Sequence, residues 1–381
     1  MKTIKHLVLS GGGVIGLVEY GALKYLSNRK IIDHKNIESI YATSIGSFIA
    51  FIYILNLEWS WIDDFLIKRP WEKLFKFSYS DYINLFYNKG LVNKNVVIKA
   101  IKPLFLAKNI PINITLLEFY NLTKIELNIF TCNLNIFKKV KLNYINNPNL
   151  ELLDAIYISS TVPVLFSPLY IDNCYYLDGG IFINCPINEC IIDKKCSYDE
   201  ILCFTSDKRE PIDLSNNYYK ENNYNLINPI EINNDSNFFE YIIYIIKTLI
   251  NKIAIIENEN IITIENSINV SLTQQGVDRQ YWSHVFKSES ERDYLVKLGE
   301  IQAEKFITNR KIEDDTDNKN IDNVDNIDTK DTKIIDIIDN KIIDNKDTKN
   351  YTNDNNDNND NNDNNDTIKD DNKKIVDNIV N

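Results

Sequence analysis

Three short stretches of this 381-residue chain hold residues whose types and spacing suit acyl transfer. The first, Ser10-Gly11-Gly12-Gly13-Val14-Ile15-Gly16, follows the apolar run Ile4–Leu9 and offers backbone N–H groups that no side chain crowds. The second, Ala42-Thr43-Ser44-Ile45-Gly46, is G-x-S-x-G with alanine in the first place. Between a strand and a helix, that turn throws the serine hydroxyl out at the carboxyl edge of a sheet, at the positive end of the helix. The third, Asp178-Gly179-Gly180, is a carboxylate followed by two residues that allow another backbone to approach closely.

Each stretch has a plainer reading. Serine between small residues is common in buried turns, and Asp-Gly is the commonest hairpin signal. Gly11, Gly13 and Gly16 also spell the G-x-G-x-x-G of a dinucleotide-binding turn. Together, however, they fit one reaction. A serine needs a base to become a nucleophile, and the developing oxyanion needs donors. Asp178 is the expected base for Ser44, and the loop Gly11–Gly16 the expected oxyanion hole, with the Gly12 and Gly13 amides as its chief donors. Ala42, Gly46, Gly179 and Gly180 support the two turns. The dinucleotide reading requires an acid ending the second strand; Asp33 has the spacing but precedes that strand. A Ser–His–Asp triad completed by His284 follows the chain order of α/β-hydrolases. That fold puts several strands before its nucleophile, and 43 residues leave room for two. His284 reads as part of an exposed loop or helix start, His6 as strand-flanking and His34 as a loop residue.

The elements that must carry these stretches follow from periodicity. Ile4–Leu9 reads as a strand and Leu17–Asn28 as a helix with Leu17, Tyr20, Leu23 and Leu26 on one face. Ser39–Tyr41 reads as a second strand and Phe48–Leu57 as a buried helix. Trp59–Pro111 is aromatic and helical without a crisp period. Strands are expected at Ile125–Asn133 and in "KKVKLNYI", a short helix over Leu152–Ser160, and a hairpin-like pair in "YIDNCYYLDGGIF". "EILCFTS" is a further strand. Alternating strands and helices imply an α/β domain with a largely parallel sheet. Phe238–Ile256 reads as a core-packed helix interrupted by Glu240, Lys247 and Lys252, with a lid or lipid-touching interfacial surface as the alternative, and 289–307 as an amphipathic helix with Leu295, Leu298, Ile301, Ala303 and Phe306 as its stripe.

Composition divides the chain near residue 310. Residues 311–381 carry 20 acidic and 10 basic residues, one aromatic (Tyr351) and no Pro or Gly. Such a segment cannot bury enough apolar area to offset chain ordering, so a disordered tail is expected. The body, 1–310, is near neutral. It shows no basic stripe, so no nucleic-acid partner is expected. Six cysteines without a C-x-x-C pair and three histidines not spaced with them imply neither a zinc site nor a disulfide framework. The first residues hold too short an apolar run for a signal peptide, which points to the cytoplasm. Ser39–Leu57 runs 19 residues without a charge, near the length of a membrane span. Its polar residues favour a strand, a turn and a helix instead.

With "SGGGVIGL", "ATSIGS" and "LDGG" in that order, and with "DAIYISSTVPVLFSPLYIDNCYYLDGGIFINCP" leading through the aspartate, the chain resembles the patatin-like phospholipase family over about residues 4–200. The resemblance implies a three-layer α/β/α fold with a mostly parallel central sheet. It implies a Ser44–Asp178 dyad without histidine, no metal or other cofactor, and hydrolysis of lipid acyl esters at a membrane surface. Two positions depart from the family pattern: Ile15 stands where many members have a basic residue, and Ala42 replaces the first elbow glycine. They motivate the alternative of a catalytically silent lipid- or protein-binding member of the fold.

Overall fold

The computed structural model describes residues 2–75, 85, 87–206, 236, 238–257, 261–272 and 279–321. The first half of the chain alternates as expected: β1 (His6–Leu9), α1 (Gly16–Asn28), β2 (Ser39–Thr43), α2 (Ile45–Ile54) and α3 (Trp59–Asp63). There follow β3 (Gly90–Val92), α4 (Lys94–Ala107), α5 (Leu116–Thr123), β4 (Glu126–Asn133), β5 (Lys138–Leu142) and α6 (Leu152–Ser159). Then come β6 (Val164–Phe166), β7 (Tyr170–Ile171), β8 (Cys174–Asp178), α7 (Ile187–Lys194) and β9 (Ile201–Thr205). The last described elements are α8 (Phe238–Glu257), β10 (Ser267–Asn269), α9 (Arg279–Lys287) and α10 (Glu289–Ile321).

The main sheet runs β10-β9-β1-β2-β4-β8-β7, with β5 paired to the other edge of β4. From β10 to β4 every pairing is parallel; β5, β7 and β8 join antiparallel. Alternate residues on a strand face opposite ways, and both faces of the central strands are covered. Leu7, Leu9, Ile40, Ala42, Ile129, Leu202 and Phe204 enter one apolar cluster with residues of α1, α2, α6 and α10. Their neighbours Val8, Tyr41, Phe130, Ile201 and Cys203 enter a second with Ile187 and Cys190 of α7. The result is the three-layer α/β/α arrangement, its central sheet mostly parallel.

The charge-free run 39–57 resolves into β2, the Ser44 turn and α2. Among the described residues no helix is long and apolar enough to cross a membrane. Helix α2 begins at Ile45, earlier than its apolar pattern predicts, because the serine turn itself opens the helix; Asn56, at φ 47, follows its end. In α10 the predicted stripe is rotated. Leu295, Leu298, Ala303 and Phe306 are buried, but Ile301 is 47% exposed and Val296 lies inside in its place. The cause is a close crossing with α1. A methyl group on Gly299 would sit 2.0 Å from Val18 O, and one on Gly21 2.0 Å from Val296 O. That contact centres the buried face on 295, 296, 299 and 303. The compact unit extends to Asn318, and α10 continues past position 310 to Ile321, since extending a formed helix by a residue is far easier than starting one. The rest of the tail, and parts of the aromatic region 59–111, lie outside the described residues.

Candidate active site

Strand β4 brings Ser44 and Asp178 together. Its residues Glu126–Phe130 pair with β2, and Thr131–Asn133 pair with β8 along the same edge, because β5 occupies the opposite one. Strands β2 and β8 therefore run toward each other. Thr43 is opposite Phe130 and Asp178 is opposite Thr131, so the carboxyl ends of the two strands abut. Ser44 and Asp178 are the residues at that junction, with Ser44 Oγ donating to Asp178 Oδ2 at 2.5 Å.

Ser44 has φ 53 and ψ −125, in the region that L-residues avoid. A conformation of this kind costs roughly 1–3 kcal/mol and persists only where its surroundings fix it. Here they do. The Ser44 N–H donates to Ser159 Oγ at 2.8 Å, and Ser159 in turn donates to Phe130 O at 2.6 Å. Ser44 O accepts from the Ser47 N–H at 2.9 Å and from Ser47 Oγ at 2.6 Å. A serine preceding a helix ordinarily accepts from an N–H of the first turn. The Ser44 side chain makes no such bond and is directed at the aspartate instead. Gly46 is required by contact, since a methyl group there would lie 2.6 Å from Ser10 O. Ala42 sits inside β2 and is absent from the residues with positive φ, so alanine fits where the elbow pattern has glycine.

Asp178 is held as firmly. Its N–H donates to Thr161 O at 3.0 Å, and its Oδ1 accepts from the Gly180 N–H at 2.7 Å. Burial pushes its carboxyl up to about 6, against the hydrogen bonds from Ser44 and Gly180, which favour the charged form. A carboxylate near 6 is ionised at neutral pH yet basic enough to accept a proton.

The glycine loop lies against Ser44. A methyl group on Gly11 would come within 3.2 Å of Ser44 Cβ. The loop's four candidate donors separate into two kinds. The Gly11 N–H donates to Asn184 O at 2.9 Å, and the Gly16 N–H is engaged by Gly13 O and Val14 O. These two N–H groups already have acceptors within the protein. The Gly12 and Gly13 N–H groups make no hydrogen bond among the described residues. Gly13 has φ 63, and the Trp282 indole packs on it so closely that a methyl group would sit 2.1 Å from the ring. Ile15 is buried and lies beside Gly12.

Sequence reasoning missed the supports. Asn184 clamps Gly11 from both sides, accepting its N–H and donating Nδ2 to its carbonyl at 3.2 Å. Glu19, on the buried face of α1, accepts from the Ser10 N–H at 2.9 Å and from Ser10 Oγ at 3.1 Å. Burial pushes its carboxyl well above the usual range. A lone acid on the apolar face of a predicted helix was the available signal for Glu19; a single Asn or Ser such as Asn184 or Ser159 carried none. His284 lies in α9, its Nε2 3.7 Å from Glu291 Oε2, and the Ser44 hydroxyl goes directly to Asp178. His6 opens β1 with Nδ1 2.8 Å from Ser39 Oγ, and His34 Nε2 is 3.2 Å from Ile54 O.

Comparison with known proteins gives a consistent result. Residues 7–191 match the model of the family described as patatin-like phospholipase. "Uncharacterized protein R571" of Acanthamoeba polyphaga mimivirus is 30% identical over 186 residues, 48% of this chain and 60% of that protein. "Probable lipid hydrolase 463L" of Invertebrate iridescent virus 6 is 28% identical over 189 residues, 49% of this chain and 63% of that protein. The chain thus spans about three fifths of the length of these curated relatives. Among solved structures, VipD from Legionella pneumophila superposes with a TM-score of 0.43 at 16% identity, covering 81% of this chain and 67% of that one. The serine elbow, the glycine loop and the aspartate turn all lie inside the segment, residues 7–191, that matches the patatin-like phospholipase family.

Proposed function

We propose that this protein is a lipid acyl hydrolase that cleaves carboxylic esters through Ser44 and Asp178. The observation that carries the reading is the 2.5 Å contact between Ser44 Oγ and Asp178 Oδ2, made by a serine in a strained elbow. Asp178 accepts the Ser44 proton as Oγ bonds to the ester carbonyl carbon. The carbonyl oxygen takes the negative charge and is held by the Gly12 and Gly13 N–H groups. Collapse of the intermediate breaks the bond to the leaving alcohol, which receives the proton from Asp178, and leaves an acyl ester on Ser44. Water then gives a proton to Asp178 and attacks the acyl carbon; the proton returns to Ser44 Oγ as the fatty acid departs. The name of the iridoviral relative and the family that residues 7–191 match support a lipid as the acyl donor.

A fluorophosphonate probe tests the nucleophile. It is expected to label the wild-type chain and not Ser44→Ala, and equal labelling of both would sink the assignment. Release of fatty acid from phospholipid vesicles, absent in Ser44→Ala, separates a hydrolase from a silent binding member of the fold. For the base, His284→Ala is expected to keep most activity; a loss of several orders of magnitude would favour the triad.

A further inference from the structure

The β4–β5 hairpin carries a feature that folding does not explain. Its turn, Leu134-Asn135-Ile136-Phe137, lies where turn chemistry favours Gly, Asn and Asp. Three of these four residues are large and apolar and are left in water: Leu134 is 41% exposed, Ile136 61% and Phe137 47%. Phe137 also holds φ 49, a conformation that glycine or asparagine adopts far more readily. The tip is nevertheless tied down by hydrogen bonds. The N–H groups of Asn135 and Ile136 donate to Asn133 Oδ1, and Asn135 Oδ1 accepts from the Tyr175 N–H.

Its position is as specific as its composition. Thr43, next to Ser44, and Asp178 lie level with Phe130 and Thr131 of β4, and the tip continues the same strand about 10–15 Å farther at ~3.3 Å per residue. The Phe137 ring meets Phe182 edge to face at 5.0 Å, and Phe182 closes the turn that Asp178 opens. Exposed Tyr170, on the neighbouring β7, adds an aromatic ring at the same end. The charges there are complementary to an anionic surface. No acidic residue occurs from Leu127 to Leu150, while Lys138 is exposed directly beside the tip and Lys89 lies over the Tyr175 ring. Asp172, in the β7–β8 turn, is an acid on that side, and Glu189 is ion-paired with Lys139 of β5.

We propose that the β4–β5 tip is the surface by which this protein docks on a lipid bilayer, with Leu134, Ile136 and Phe137 entering the interfacial region and Lys138 meeting anionic headgroups. The proposal rests on the reading of the site as a lipid hydrolase, since it brings the membrane to the edge that bears Ser44. Aromatic and aliphatic side chains on a tied-down projection, with lysine beside them, are the chemistry that the acyl–headgroup boundary accepts.

Docking is measured on the full chain carrying Ser44→Ala, so that vesicles stay intact, by co-sedimentation with phosphatidylcholine vesicles with and without phosphatidylserine. Ile136→Asp is expected to weaken binding about tenfold or more, the effect of withdrawing one large apolar side chain from lipid. Phe137→Asn is expected to weaken binding too while the melting temperature holds or rises, because asparagine suits φ 49. A merely structural Phe137 would instead melt earlier. Lys138→Glu is expected to act on the phosphatidylserine vesicles, and Ile192→Asp, an exposed apolar residue on α7, to change nothing. With Ser44 intact, Phe137→Asn is expected to leave hydrolysis of a water-soluble short-chain ester unchanged. Absence of ester hydrolysis would fail the catalytic reading alone, because sedimentation does not depend on it. Wild-type protein that stays in the supernatant, variants that sediment like wild type, or a wild-type dimer that Phe137→Asn dissociates would each overturn the docking proposal.

Discussion

Ser44 and Phe137 hold almost the same backbone torsion, φ 53 and φ 49, in opposite circumstances. Around Ser44 the strain is enclosed: its N–H, carbonyl and hydroxyl all have partners, and the residue is buried. Around Phe137 the strain stands at the surface, on a turn pinned by two asparagines, with the ring half in water. Backbone strain in a native chain is a pointer to work done elsewhere. The contrast says what kind of work. At Ser44 the strain aims Oγ at Asp178, whereas at Phe137 it holds an aromatic ring at the surface.

The sharpest way to test the enclosed half is to neutralise its acceptor. Asp178→Asn is expected to lower kcat/KM by about 10³-fold or more, because an amide cannot take the serine proton. The same change should raise stability at neutral pH, since it removes a charge that burial disfavours. Steady-state kinetics and thermal melts on one preparation read both effects, and a variant that lost stability together with activity would argue against a destabilised carboxylate. Next in size is the acid limb of the rate. If the ionised carboxylate is the working form, kcat/KM should fall about tenfold per pH unit below about 6. A profile flat down to pH 4 would remove Asp178 from the role of base.

Glu19 offers a smaller test of how burial alone acts on a carboxyl. Its folded value is raised above the ordinary 4.5, so above pH 4.5 the unfolded chain releases this proton while the folded one retains it. Stability is therefore full below pH 4.5 and declines as pH rises toward the folded value. Glu19→Gln is expected to leave the melting temperature at pH 4 nearly unchanged and to raise stability at pH 8 by on the order of 1–2 kcal/mol. The smallest effect separates torsion from chemistry. Ser44→Gly relieves φ 53 and Ser44→Ala does not, so the glycine variant should melt higher by about 2 °C, roughly 1 kcal/mol, with both inactive.

What the sequence disclosed follows the range of the interactions. Turns announce themselves locally, so the Ser44 elbow, the Asp178 turn and the glycine loop were legible, as were most strands and helices of the body. The division of labour within the loop was not, because whether Gly11 donates to Asn184 depends on a residue far along the chain. The same holds for Ser159 behind Ser44. Spacing alone places Ile301 inward, and the crossing at Gly21 and Gly299 turns it out. The meeting of β2 and β8 along one edge of β4 is a fact of topology that no periodicity carries.

That meeting makes β4 a ruler. Ser44 and Asp178 are 134 positions apart in the chain, yet their separation in space is measured by a single residue step along β4. Turns between them that hold neither residue can lengthen or shorten with little consequence for the pair, whereas Ser159 and Thr161, which fix the Ser44 N–H and the Asp178 N–H, cannot shift. One residue inserted between Phe130 and Thr131 would open a gap of about 3.3 Å and turn the following side chains to the other face. Tolerance to insertion should therefore collapse over a few positions of one strand that itself holds neither Ser44 nor Asp178.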